Sequence, residues 1–178
     1  MKSVIQRYWP IATIAALIVA LDQWTKWLVR VNIPDGGTWL PESLAWLSPY
    51  ARIVHWHNTG AAFGMFQDAS MVFTVLAFVV IAAIIYYYPH VENSDWSLRL
   101  AMSMQLGGAI GNLIDRLSMG RVTDFISIGT FPVFNIADAS ISVGAAVLLL
   151  GVWLMERSEK REKAKMIASD QTGETTSD

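Results

Sequence analysis

The sequence predicts an all-α integral membrane protein: four transmembrane helices in an antiparallel bundle, with a small extracytoplasmic β/loop subdomain between helices 1 and 2. Three observations predict it. The 178 residues are 53% hydrophobic and only 16% charged, with a mean hydropathy of +0.38, outside the range of ordinary soluble domains. Four apolar segments, at about residues 9–28, 70–88, 98–117 and 134–155, have the roughly 20 residues a helix needs to cross a hydrocarbon core. The link between the second and third, 89–97, is short and polar, as between antiparallel neighbours in a bundle.

The first segment follows Lys2 and Arg7 and could be mistaken for a secretory signal. Its apolar character resumes through Trp24, Trp27, Leu28 and Val29, so a retained span is expected. The link over 29–69 is far longer than the usual connection of about 2–8 residues between helices, and a loop of that size is usually functional. Within it, 41–47 (PESLAWL) reads as a short helix started by a proline, with Leu40, Leu44 and Leu47 on one side, suited to an interfacial lid. Residues 52–57 alternate in character and predict one or two short strands.

Span two carries no charge, and Pro89 ends it. Span four carries only Asp138, near its start, and Pro132 breaks the chain before it. Residues 1–165 read as one membrane-embedded domain and 166–178 as a disordered cytoplasmic tail. Arg157, Lys160, Arg161, Lys163 and Lys165 follow the last span, so the positive-inside rule predicts that both termini are cytoplasmic. Trp9, Trp96 and Trp153 then fall at the inner headgroup level, and Trp24, Trp27, Trp39, Trp46 and Trp56 at the outer one.

That topology brings the unusual polar residues to one face. The outer ends of the four spans carry Asp22 and Lys26; Asn58 and Gly60; Asn112, Asp115, Arg116 and Asp124; and Asn135 and Asp138. Asn112, Asp115 and Arg116 stand at i, i+3 and i+4, with Gly108 one turn below. Gly107 and Gly111 form a G-x-x-x-G that lets a neighbouring helix approach. Asp22 with Lys26, and Asp115 with Arg116, read best as structural pairs that lower the cost of burial. Asp124 and Asp138 are different. Asp138 has no basic residue within ten positions, and only Arg121 lies close to Asp124. If the two carboxylates meet, repulsion keeps one protonated, so that one serves as base toward water and the other as acid toward a carbonyl.

Other chemistries are excluded or weak. Cysteine is absent, which removes disulfides, thiolate metal sites and a cysteine nucleophile. The net charge of −2 and the lack of a basic patch argue against nucleic acid. His55 and His57 would share a strand face, but no third ligand is evident, so neither a metal nor a cofactor is expected. A small proton-coupled transporter or channel is the main rival, since intramembrane charges also mark ion pathways. A pathway needs polar groups through the full thickness, whereas the inner halves of spans one and four have no ionisable residue. A non-catalytic scaffold would leave the two unpaired carboxylates without a reason.

Five blocks in order carry a resemblance to a known family: LDQWTK from Leu21, NTGAAFG from Asn58, GGAIGNLIDRL from Gly107, VTDFI from Val122 and FNIADA from Phe134. Together they resemble lipoprotein signal peptidase, the bacterial signal peptidase II. The resemblance implies an inner-membrane aspartyl protease that removes signal peptides from prolipoproteins, cutting before the diacylglyceryl-modified cysteine near the outer membrane face. It implies Asp124 and Asp138 as the catalytic pair, with Asp115 in support and Arg116, Asn112, Asn135, Asn58, Asp22 and Lys26 lining or bracing the site. Membrane lipids and the cyclic peptide inhibitor globomycin are the further partners it implies.

Overall fold

The computed structural model of the chain describes residues 4–59 and 70–173. Four helices carry the fold: α1 (Val4–Asn32), α2 (Ser70–Tyr87), α3 (Trp96–Met119) and α4 (Ile136–Gly173). Three stretches, Gln6–Asn32, Ser70–His90 and Ile136–Arg157, are long and apolar enough to cross a membrane. α2 presents Met71, Val72, Val75, Leu76, Phe78 and Val79 outward and buries only Ile84. An apolar face of that extent suits lipid rather than water. All eight tryptophans are exposed, as interfacial anchors would be.

α3, which carries Arg99, Gln105, Asn112, Asp115 and Arg116, falls outside those three, yet it is the central helix, packed on α1, α2 and α4. Its small residues allow this. An added Cβ on Gly107 would lie 2.8 Å from Ile18 Cβ of α1, and one on Gly108 would lie 2.5 Å from the Ala137 carbonyl oxygen of α4. Gly108→Val is therefore expected to push α4 away from α3, since the obstacle is backbone that cannot rotate aside. The expected cost is about 1–3 kcal/mol or more, read as a lowered melting temperature in detergent. An unchanged melting temperature would show that the α3–α4 contact is looser than this.

The all-α expectation needs one amendment. A three-stranded antiparallel sheet, in the order β1 (Thr38–Trp39), β2 (Ala51–Asn58), β3 (Val122–Ile128), caps one end of the helices. β2 matches the predicted strand at 52–57, but β3 comes from the link between α3 and α4, which the sequence reading leaves without structure. The subdomain is therefore not confined to the segment between helices 1 and 2. Physically, β3 forms because its partner is supplied from far upstream: Trp56 stands opposite Asp124 and Asn58 opposite Val122. Gly120 makes the entry possible by taking a left-handed conformation (φ 71°) that closes α3 and turns the chain into the strand. On its other side β3 is clamped by Phe134, whose N–H donates to the Ile126 carbonyl at 3.1 Å.

Of two further elements, the first matches the expected short helix and the second differs from expectation. The proline-started segment is a 3₁₀ helix, Glu42–Leu47, with Leu44 and Trp46 exposed and none of its residues buried. α4 runs to Gly173, so the tail expected to lack structure from 166 is helical over most of its length. The residues after Met155 (ERSEKREKAK) are strong helix formers, and Glu156 pairs with Lys160 at i, i+4, which lets the helix continue past the apolar span.

Candidate active site

α1 contributes Asp22 and Lys26 one helical turn apart, and both are fully buried. Lys26 Nζ lies 2.9 Å from Asp22 Oδ2, 3.2 Å from Asp115 Oδ2 and 3.0 Å from Asn112 Oδ1, so its three hydrogens have three acceptors. Asp22 Oδ1 also accepts from the Ala137 backbone N–H at 3.0 Å, at the start of α4. Asp115 Oδ2 accepts from the Thr123 backbone N–H at 3.0 Å, which ties α3 to β3. Gln23, inside the LDQWTK block, donates to Asp22, to Asp115 and to the Gly111 carbonyl. Arg30 reaches Asp115 at 3.6 Å and the Thr123 hydroxyl at 3.2 Å. Two acids and two bases thus close a charge-balanced brace across α1, α3, β3 and α4.

The Asp22–Lys26 pair matches the sequence expectation, but the Asp115–Arg116 pair does not form. Adjacent residues on a helix point about 100° apart, so Asp115 turns toward α1 while Arg116 turns the other way. Arg116 sits over the Phe73 ring, 5.5 Å from its centroid, and lines the cleft described next. Sequence reasoning missed Gln23 and Arg30 as bracing residues. Their positions one after Asp22 and four after Lys26 were the available signal.

Asp124 and Asp138 line one cleft of about 460 Å³, together with Asn58, Asn112, Arg116 and Ser142. Asp124, on β3, is 1% exposed. Its Oδ1 accepts from Asn135 Nδ2 at 2.6 Å and its Oδ2 from Asn58 Nδ2 at 3.1 Å. Asp138, in the first turn of α4, accepts from Asn112 Nδ2 at 2.7 Å and from the Asn135 backbone N–H at 3.2 Å. The Asn135 carbonyl oxygen of the side chain in turn accepts from the Asp138 N–H at 2.9 Å, a reciprocal cap at the helix start. Asn135 therefore touches both carboxylates. The orientation of Asn112 is fixed as well, because its Oδ1 accepts from Lys26 and from Asn135 Nδ2, leaving its amide N–H for Asp138.

The electrostatics separate Asp124 from an ordinary surface carboxylate. Burial, and then the neighbouring Asp138, push its pKa up to about 7, against the opposing hydrogen bonds from Asn58 and Asn135 and the charge of Lys26. Neither aspartate has an ion-pair partner among the described residues, although Arg116 and Lys26 act on the site at longer range. Gly60 lies outside the described residues, as does most of the NTGAAFG block. Gly108 stands apart from the polar groups and serves the α3–α4 approach. The cleft lips are apolar: Phe73, Phe131, Pro132, Val133 and Val143.

Helices of membrane-crossing length that enclose a cleft with two asparagine-held carboxylates, one buried and one half-buried, define the class, a membrane enzyme. Comparison with known proteins gives the same class and narrows it. A solved chain titled as a bacterial membrane enzyme structure superposes with a TM-score of 0.75 at 28% identity, covering 85% of this chain and 91% of that one. The family model described as signal peptidase (SPase) II matches residues 14–154. The lipoprotein signal peptidase of Shouchella clausii is 39% identical over 83% of this chain and 95% of its own. That of Geobacillus thermodenitrificans is 40% identical over 83% of this chain and 91% of its own. The chain belongs to the signal peptidase II family.

Proposed function

We propose that this peptidase removes signal peptides from prolipoproteins as an aspartyl endopeptidase, with Asp124 and Asp138 as its dyad, cutting before the diacylglyceryl-modified cysteine. The observation that carries the reading is the pair of carboxylates on one cleft, each held by an asparagine amide and both touched by Asn135. In this mechanism the pair shares one proton. The ionised aspartate takes a proton from water as that water attacks the scissile carbonyl, and the protonated one donates to the developing oxyanion. Asn112 and Asn135 keep the two acids oriented through the cycle. Arg116, at the cleft wall, is positioned to meet the carbonyl groups of a bound peptide.

The apolar lips suit the acyl chains of a lipidated cysteine, and globomycin would compete there. α3, enclosed by three apolar helices, serves as a fourth span in an antiparallel bundle, with both termini cytoplasmic and the sheet and dyad at the outer face. The basic residues after Met155 support that orientation. On this reading residues 1–165 form the peptidase domain, and the exposed 42–47 segment is placed to cover a bound substrate.

The test is cleavage by the purified chain in lipid of a prolipoprotein with and without the diacylglyceryl group, across pH. Only the lipidated substrate is expected to be cut. Because the Asp124 pKa is raised to about 7, the singly protonated pair persists at neutral pH, and kcat/KM is expected to fall as pH rises past that value. The limiting decline is about tenfold per pH unit. A rate that stays flat well above neutrality would remove the shared-proton mechanism.

A further inference from the structure

A second cluster of chemistry-bearing side chains lies on the sheet, apart from the dyad. β2 carries His55 and His57 on one face, their ring centroids 4.8 Å apart at an interplanar angle of 70°. Asp35 sits in the turn after α1, and that turn is tied to β2 by backbone bonds from Gly36 N–H to the His55 carbonyl and from the His55 N–H to the Gly37 carbonyl, each 3.0 Å. Each of the three side chains offers a ligand atom within 4.8 Å of the others.

One hydrogen bond fixes which ring nitrogen of His55 is free. His55 Nδ1 lies 2.8 Å from the Ile33 carbonyl oxygen, which can only accept, so Nδ1 carries the hydrogen and Nε2 is a lone pair. His55 Nε2 is buried without a hydrogen-bond partner among the described residues, and His55 is 6% exposed. A buried acceptor of this kind is costly to leave unmatched. His57 Nε2 lies 3.2 Å from Asp35 Oδ1, a spacing that also suits two ligand atoms on one tetrahedral ion.

We propose that Asp35, His55 and His57 bind a divalent transition-metal ion, zinc above all. Imidazole nitrogens with a carboxylate are a donor set that zinc favours, and water completes a tetrahedral shell. The Ile33 carbonyl behind His55 is the kind of outer contact that orients a metal-bound imidazole. Asp35, 64% exposed at its side chain, supplies the compensating charge and an opening to solvent. The ion clamps the turn after α1 to β2, the strand that presents Asn58 to Asp124.

The test is zinc titration by calorimetry of the full chain without an affinity tag, in detergent, after chelator treatment. One zinc per chain and a raised melting temperature are expected. Asp35→Asn and His57→Gln should each weaken binding by at least about 10- to 100-fold, the cost of losing even an outer contact. His90→Gln, at the remaining histidine of the chain, should leave it unchanged. Zinc-edge absorption on the unaltered protein should report nitrogen ligands at about 2.0–2.1 Å, and does not depend on the variants folding. Failure of zinc to saturate, equal binding by the Asp35 and His57 variants, or an all-oxygen shell would overturn the site. Water filling the gap would give the first of these results.

Discussion

Asp124→Asn and Asp138→Asn are each expected to lower cleavage of a diacylglyceryl-modified prolipoprotein by about 10³-fold or more while the protein still inserts and folds. General acid–base groups contribute typically 10²–10⁴-fold, and either substitution removes the shared proton's exchange between two oxygens on which both half-steps depend. Folding should survive for a specific reason. At Asp124 the carboxyl already resists ionisation, its pKa raised to about 7, so a neutral amide removes little favourable charge. The amide oxygen can keep the short bond from Asn135 Nδ2, and the mismatch of two N–H groups falls on Asn58, which is less buried. At Asp138 the amide oxygen can keep either Asn112 or the Asn135 N–H. The measurement is turnover beside the melting temperature of each variant. Appreciable turnover by either one, at normal melting temperature, would remove that residue from the dyad.

The apolar spans were legible because lipid imposes one requirement over about 20 residues, and 53% hydrophobic composition leaves few other readings. The convergence of Asp22, Lys26, Asn112, Asp115, Asn135 and Asp138 followed from counting which helix ends share a face. β3 was not legible in the same way. Its seven residues form a strand only because β2 and Phe134 pair with it, and those partners are remote or belong to the next element. Pairing preferences also failed locally at Asp115 and Arg116. Sequence adjacency suggested a pair, but the helix sends the two side chains to different neighbours. Asp35 escaped notice beside His55 and His57 because the contact depends on how the turn after α1 folds back onto β2.

Lys26→Met is the substitution expected to cost most in stability. Removing one member of a buried ionic network strands its partners, at about 3–5 kcal/mol, a large fraction of the roughly 5–15 kcal/mol that holds a typical domain. Lys26 is fully buried and satisfies three acceptors at once, so methionine of similar length fills the space but leaves Asp22 and Asp115 facing each other. Arg30, at 3.6 Å from Asp115, can relieve only one of them. Asp22 would keep Gln23 and the Ala137 N–H, neither of which carries a charge. The double variant Lys26→Met with Asp22→Asn is therefore expected to recover much of the lost melting temperature, because it restores charge balance with Arg30 and Asp115. Activity should not recover with it. Asn112 loses the Lys26 bond that helps fix its amide, so its N–H is no longer held toward Asp138. Stability and turnover are thus expected to separate in the double variant. A Lys26→Met protein with unaltered melting temperature would mean that water or a neighbouring cation reaches the network, and the brace would not be the closed unit described.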